Sequence, residues 1–136
     1  SFRELSNASP AFQSPIDIND RSVEVIARSD NVLMCRFAEL CEKPRSAHDY
    51  IEIAREYHAV LLADVPALGA SNDDAARRFI NLVDEFYDRS VKLIISAERP
   101  ILELYDQGRL NFEFQRTQSR LQEMQSREYL AREHRP

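Results

Sequence analysis

With 136 residues, a net charge of −5 and acids and bases interspersed, the chain has the size of one domain. It lacks the basic block that would draw nucleic acid or anionic lipid. Its two cysteines, Cys35 and Cys41, make no disulfide framework, and no apolar run approaches the ~20 residues of a spanning helix. A reduced, cytoplasmic protein with no membrane span and no nucleic-acid partner is therefore the expectation.

Residues 1–15 carry Ser, Asn and two prolines around isolated apolar residues, without helical or strand period, and are expected to form a flexible segment. Residues 16–136 are expected to be a single domain. From Ile16 the pattern alternates: Ile16 and Ile18, a polar turn at 19–22, then Val23, Val25 and Ala27, which predicts a short antiparallel hairpin. After a second polar turn at 28–31, the run VLMCRF (32–37) predicts a strand and AELCEK a helical turn closed by Pro44. Ser46, with Asp49 three residues on, approximates a capping box and predicts a helix that buries Tyr50, Ile53, Ala54 and Tyr57.

The centre of the chain, residues 60–98, reads as a β-α-β unit. The apolar runs VLLADVP (60–66) and VKLIISAE (91–98) predict two parallel strands buried on both faces. Between them Ser71 and Asn72 are candidate N-caps, Asp73 and Asp74 fill the first turn, and Arg89 the last. Ala76, Phe79, Ile80, Val83, Phe86 and Tyr87 recur at three- and four-residue spacing and form the face that packs on the sheet. Three (i, i+4) pairs, Asp73 with Arg77, Asp74 with Arg78 and Glu85 with Arg89, are expected on the opposite face. The fold class is thus α/β: a small, partly parallel sheet flanked by helices and preceded by an antiparallel hairpin.

Downstream, Pro100 is expected to open a helix over 101–106 that ends by Gly108. Residues 110–114 are expected to be a short extended piece. From about 115 to 132 the pattern is helical, with Leu121, Met124, Tyr129 and Leu130 apolar, a break near Ser126, and the last four residues fraying.

Few residues here carry chemistry by their spacing. Asp64 and Glu98 fall at the carboxyl ends of two strands predicted to be parallel, the edge at which open α/β sheets bind ligands. The bland alternative is that Asp64 begins a Pro-terminated loop and Glu98 caps a helix start. Asp84 and Glu85 have the letters of a metal-binding acid pair but sit in mid-helix. Cys35, Cys41, His48 and His58 fit no paired zinc spacing, so no metal site is expected. Arg116 and Arg120 lie one turn apart on the helical face opposite Leu121 and Met124. A salt-paired, solvated face involving Glu113 and Glu123 accounts for them in the simplest way.

Four stretches, PRSAHDYIEIAREY (44–57), VLLADVP, ARRFINLVDEFYDRSVKLIISAE (76–98) and FEFQRTQSRLQEMQSREYLAREH (112–134), resemble the C-terminal part of the ZapE-type cell-division ATPases. These are relatives of the mitochondrial AFG-type P-loop ATPases. The resemblance implies a parent that uses ATP and Mg2+ in the cytoplasm, with the division-ring protein FtsZ as partner and self-association as a further expectation. It also implies that the chain is the carboxyl-terminal portion of such a parent. The only glycines, Gly69 and Gly108, precede neither Lys-Ser nor Lys-Thr, so G-x-x-x-x-G-K-[ST] is absent and neither catalysis nor a bound cofactor is expected of these residues alone. By the same resemblance, that loop is expected N-terminal to Ser1. Asp64, Ser96 and Glu98 echo the acid and sensor positions of such ATPases in degenerate form, and Arg116 or Arg120 becomes a candidate arginine finger. The alternative is a degenerate nucleotide fold that serves only as a protein-interaction module.

Overall fold

A computed structural model describes residues 11–132 and His134. Strands β1 (Ile16–Ile18) and β2 (Arg21–Val23) form an antiparallel hairpin. Strands β3 (Ala27–Arg28), β4 (Val32–Arg36), β5 (Ala59–Val65) and β6 (Lys92–Ala97) form a sheet in that spatial order. β3 runs antiparallel to β4, while β4, β5 and β6 are mutually parallel. Helices α1 (Phe37–Cys41) and α2 (Ala47–Glu56) connect β4 to β5, and α3 (Asp73–Asp88) connects β5 to β6. Helices α4 (Asn111–Glu123) and α5 (Arg127–Leu130) follow.

Because β4, β5 and β6 are consecutive neighbours that point the same way, the right-handed crossover rule puts both connections on one face. The register agrees with this. Leu33, Val60 and Leu93 align across the three strands, and all belong to the buried core with Phe37, Phe79 and Phe86. The next row, Met34, Leu61 and Ile94, points the other way and lies outside that core.

Local chemistry explains the element ends. Asn19 and Asp20 both have positive φ, 52° and 65°, which suits a two-residue hairpin turn. The Asn19 amide then donates to the Asp49 carboxylate at 3.0 Å, while Asp49 accepts the Ser46 backbone N–H at 3.1 Å, so one acid anchors the hairpin and caps α2. At the other end of the domain, α3 closes in a left-handed residue, Ser90 (φ 55°), with Ser90 N–H bonded to the Tyr87 carbonyl and Val91 N–H to that of Phe86. This is the pattern of a Schellman cap with serine in the usual glycine place. The buried Tyr129 hydroxyl, from α5, donates within 3.2 Å of the Phe86 carbonyl and 2.6 Å of the Val91 carbonyl, bracing that turn from outside.

Several expectations are corrected. The second hairpin strand is residues 21–23; Ala27 instead pairs with Met34 in the main sheet, because the backbone leaves the hairpin after Val23. Pro100 opens only a single 3-10 turn, Ile101–Glu103. Residues 111–114 are helical, not extended: Phe114 is buried while Phe112 is 82% exposed, so the phenylalanines do not share a face. Gly108 has a steric role, since a Cβ there would collide with the Tyr105 hydroxyl, which accepts the Leu110 N–H at 3.1 Å. Of the tether expected over 1–15, residues 1–10 lie outside the described residues, while Phe12 bridges to Arg28. The expected fraying falls on residues of which only His134 is described.

Candidate functional site

The carboxyl ends of β5 and β6 bring Asp64, Ser96 and Glu98 together around an open cleft of about 380 Å3, lined also by Val65, Pro66 and Ala97. The regular β5–β6 ladder breaks between Leu62 and Val65, and Asp64 sits in the left-handed region at φ 64°. A non-glycine residue in that region stores strain, which concentrates at functional sites and switch points. Side chains from the end of β6 and the residue after it then take over the backbone pairing. Ser96 Oγ accepts the Asp64 N–H at 2.9 Å, and Glu98 Oε2 accepts the Ala67 N–H at 3.1 Å. The Asp64 carboxylate turns outward to Arg36, at the end of β4, with N–O 2.8 Å and side chains 69% and 63% exposed. Sequence reasoning placed the three polar residues at this edge but missed Arg36, whose only signal is its position as the last residue of its strand.

The second cluster lies between α3 and α4. Arg116 and Arg120 both reach Asp84, at 3.3 and 2.6 Å. Glu113 and Glu123, the partners expected from the helix itself, are engaged elsewhere: Glu113 with Arg77 at 3.4 Å, and Glu123 with the Tyr87 hydroxyl at 2.7 Å and with Arg132 at 3.3 Å. The acid that resembled a metal ligand is thus the counter-ion of both arginines. The two are not equivalent. Arg120 is 26% exposed and lies over the Tyr87 ring, 4.8 Å from its centroid, whereas the Arg116 side chain is 57% exposed. Tyr87 in turn stacks on Tyr129, and its hydrogen bond to Glu123, with burial, holds the phenol above its ordinary pKa. Arg120 is therefore fixed by charge and by an aromatic face, while Arg116 keeps a solvent-facing guanidinium.

Elsewhere the helix charges follow tertiary neighbours. Of the three expected pairs only Glu85 with Arg89 forms, at 2.7 Å. Asp73 binds Arg109 at 2.9 Å, and Arg78 donates to the Cys41 carbonyl at 3.2 Å. Both cysteines are buried, and burial pushes the Cys35 thiol up to about 12 and the Cys41 thiol higher. Thiols so held stay protonated and are poor nucleophiles or ligands. Among the described residues no group of three or more His, Cys, Asp or Glu side chains is arranged to hold a metal ion, and no helix is long and apolar enough to cross a membrane.

A family model described as AFG1-like ATPase matches residues 1–133. The cell division protein ZapE of Escherichia coli K12 is 52% identical over 119 residues, which cover 88% of this chain and 32% of that protein. Lactation elevated protein 1 homolog B of Danio rerio is 36% identical over 125 residues, 90% of this chain and 25% of its own length. An uncharacterized protein of Schizosaccharomyces pombe is 38% identical over 96 residues, 71% of this chain and 21% of that protein. No solved structure matches. The chain therefore spans about a third or less of the length of the curated relatives it matches.

Proposed function

The chain belongs to the AFG1-like ATPase family, and from that membership we propose that it is the carboxyl-terminal module of a full-length ATPase that acts in cell division. ATP and Mg2+ are bound by a P-loop in the part of the protein outside these residues, and the module is catalytically silent by itself. Its contribution is Arg116, carried on α4 toward the triphosphate of its own or a neighbouring subunit. The observation that carries this reading is the asymmetry of the arginine pair. Arg120 is locked on Asp84 and Tyr87, while Arg116 holds the same carboxylate at 3.3 Å from a largely exposed position. A solvent-facing guanidinium with one weak partner can exchange it for a phosphate at small cost.

Asp64, Ser96 and Glu98 are read here as supports of the sheet edge, since two of the three already hold backbone amides. The E. coli relative is named a cell division protein, which supports the cell-division part of this reading; the division-ring protein FtsZ as partner, a cytoplasmic location and nucleotide-dependent self-association belong to the proposal. The test is ATP turnover of the full-length protein. Arginine fingers are worth roughly 10³–10⁵ in rate, so Arg116→Ala should lower turnover by at least about 100-fold without lowering the melting temperature. Unchanged turnover in Arg116→Ala removes that role, and unchanged turnover in Arg120→Ala as well removes any nucleotide role for the pair. It would leave the second reading, a protein-interaction module without nucleotide role, which the engagement of both arginines by Asp84 favours.

A further inference from the structure

Met34, Leu61 and Ile94 stand side by side across the three parallel strands, on the face turned away from the core. Met34 and Leu61 are half-buried and Ile94 is 41% exposed. Parallel sheets are covered on both faces, because their strands are apolar on both. Among the described residues the helical crossovers cover one face, and the other keeps an open, in-register apolar row. At the strand starts the same face is closed, with Val32 and Ala59 fully buried.

What covers this row must suit its shape. Addition of a strand at the β6 edge is opposed, because Gln125 donates to the Leu93 carbonyl at 3.3 Å and the Tyr129 hydroxyl holds that of Val91. The face rather than the edge is open, and a helix laid over it is the usual cover. The row is also small. Three side chains, two of them half-buried, expose far less than the ~800 Å2 per partner typical of a stable interface between free proteins. Such a patch suits a segment joined covalently, for which effective concentration replaces area. This chain spans 32% of the length of its E. coli relative, so the family supplies polypeptide enough.

We propose that the Met34–Leu61–Ile94 face seats an amphipathic helix from the portion of the full-length protein outside these residues. Its apolar stripe lies over the row, and acidic residues flank the stripe above Lys92, which sits in the adjoining row with Val32 and Ala59. The inference rests on the proposed reading of the chain as a module of a longer protein but not on the role of Arg116, and its test does not read ATP turnover.

The test compares thiol labelling of Ile94→Cys and Leu102→Cys in the full-length protein, Leu102 being 65% exposed. Cys35 and Cys41 are buried, and labelling is read on the peptides that carry positions 94 and 102. A seated helix should slow labelling at position 94 by about tenfold or more, independently of protein concentration, since the site reacts only on local opening. Equal rates at the two positions overturn the proposal. Protection that grows with protein concentration also overturns it and assigns the face to a second copy. The unsubstituted full-length protein gives a parallel measurement: native Met34 should oxidise with peroxide as slowly as Met124, which is fully buried. Rapid oxidation of Met34 alone counts against the helix.

Discussion

Two ion pairs in this domain have the same length and opposite meaning. Arg45 meets Glu39 at 2.8 Å with side chains 4% and 10% exposed, and Arg36 meets Asp64 at 2.8 Å with side chains 63% and 69% exposed. The buried pair is part of a satisfied network. Glu39 also binds Lys43 at 2.7 Å and accepts the Glu24 N–H, while Arg45 Nε donates to the Glu39 carbonyl. The exposed pair is open to solvent over about two thirds of each side chain, so its attraction is screened and its geometry is costly to hold. Burial, not distance, separates a strut of the fold from a surface charge that is available to something else.

Breaking the buried pair gives the largest expected effect. Glu39→Gln leaves the Arg45 guanidinium buried without a counter-charge and should cost about 3–5 kcal/mol in urea unfolding at pH 7. A loss below about 1 kcal/mol would erase the distinction between the two pairs. The same variant sharpens the comparison by pH. Burial pushes the Glu39 carboxyl up, but Lys43, the Glu24 N–H and Arg45 together outweigh it and hold the pKa below its ordinary 4.5. A depressed carboxylate stabilises above the unfolded value and loses that contribution as pH falls through the folded one. The stability gap between wild type and Glu39→Gln should therefore be constant from pH 7 to about 5 and begin to narrow as pH falls below 4.5.

Tyr129→Phe tests a neutral buried bond in the same terms. It removes the short bond to the Val91 carbonyl, while the Phe86 carbonyl keeps the Val91 N–H, and should cost about 1–3 kcal/mol, read as a lower thermal midpoint. The smallest effect is expected at the exposed pair. Arg36→Ala should change stability by about 0.2–1 kcal/mol, with that change falling as salt is raised. A salt-independent loss of several kcal/mol would place Arg36 with the buried struts.

What could be read from the amino acids follows the range of the forces involved. The β-α-β unit was legible because its signals are local: two apolar runs and a three-to-four spacing that buries Phe79, Val83 and Phe86. The start of α4 was not, because Phe112 and Phe114, two apart around Glu113, imitate a strand. The working period is Leu110, Phe114, Thr117 and Leu121, all buried. The α3 charges were misassigned for a related reason. A pair at (i, i+4) gains only about 0.2–0.5 kcal/mol, so partners 36 positions away, Arg109 just before α4 for Asp73 and Glu113 on α4 for Arg77, displace it. The polar edge residues were placed correctly on strand ends. Their bonds to backbone amides were invisible, because the irregularity at Asp64 that frees those amides has no sequence signature.

The brace on the α3–β6 turn sets an order on biosynthesis. That turn holds serine in a conformation better suited to glycine, and the hydroxyl that grips it belongs to Tyr129, 38 positions after Val91. At about 5–20 residues per second, a ribosome reaches that tyrosine roughly 2–8 s after it has added Val91. Until then the nascent helix-to-strand turn lacks its clasp, and a chaperone that binds the emerging chain meets a bend still able to open.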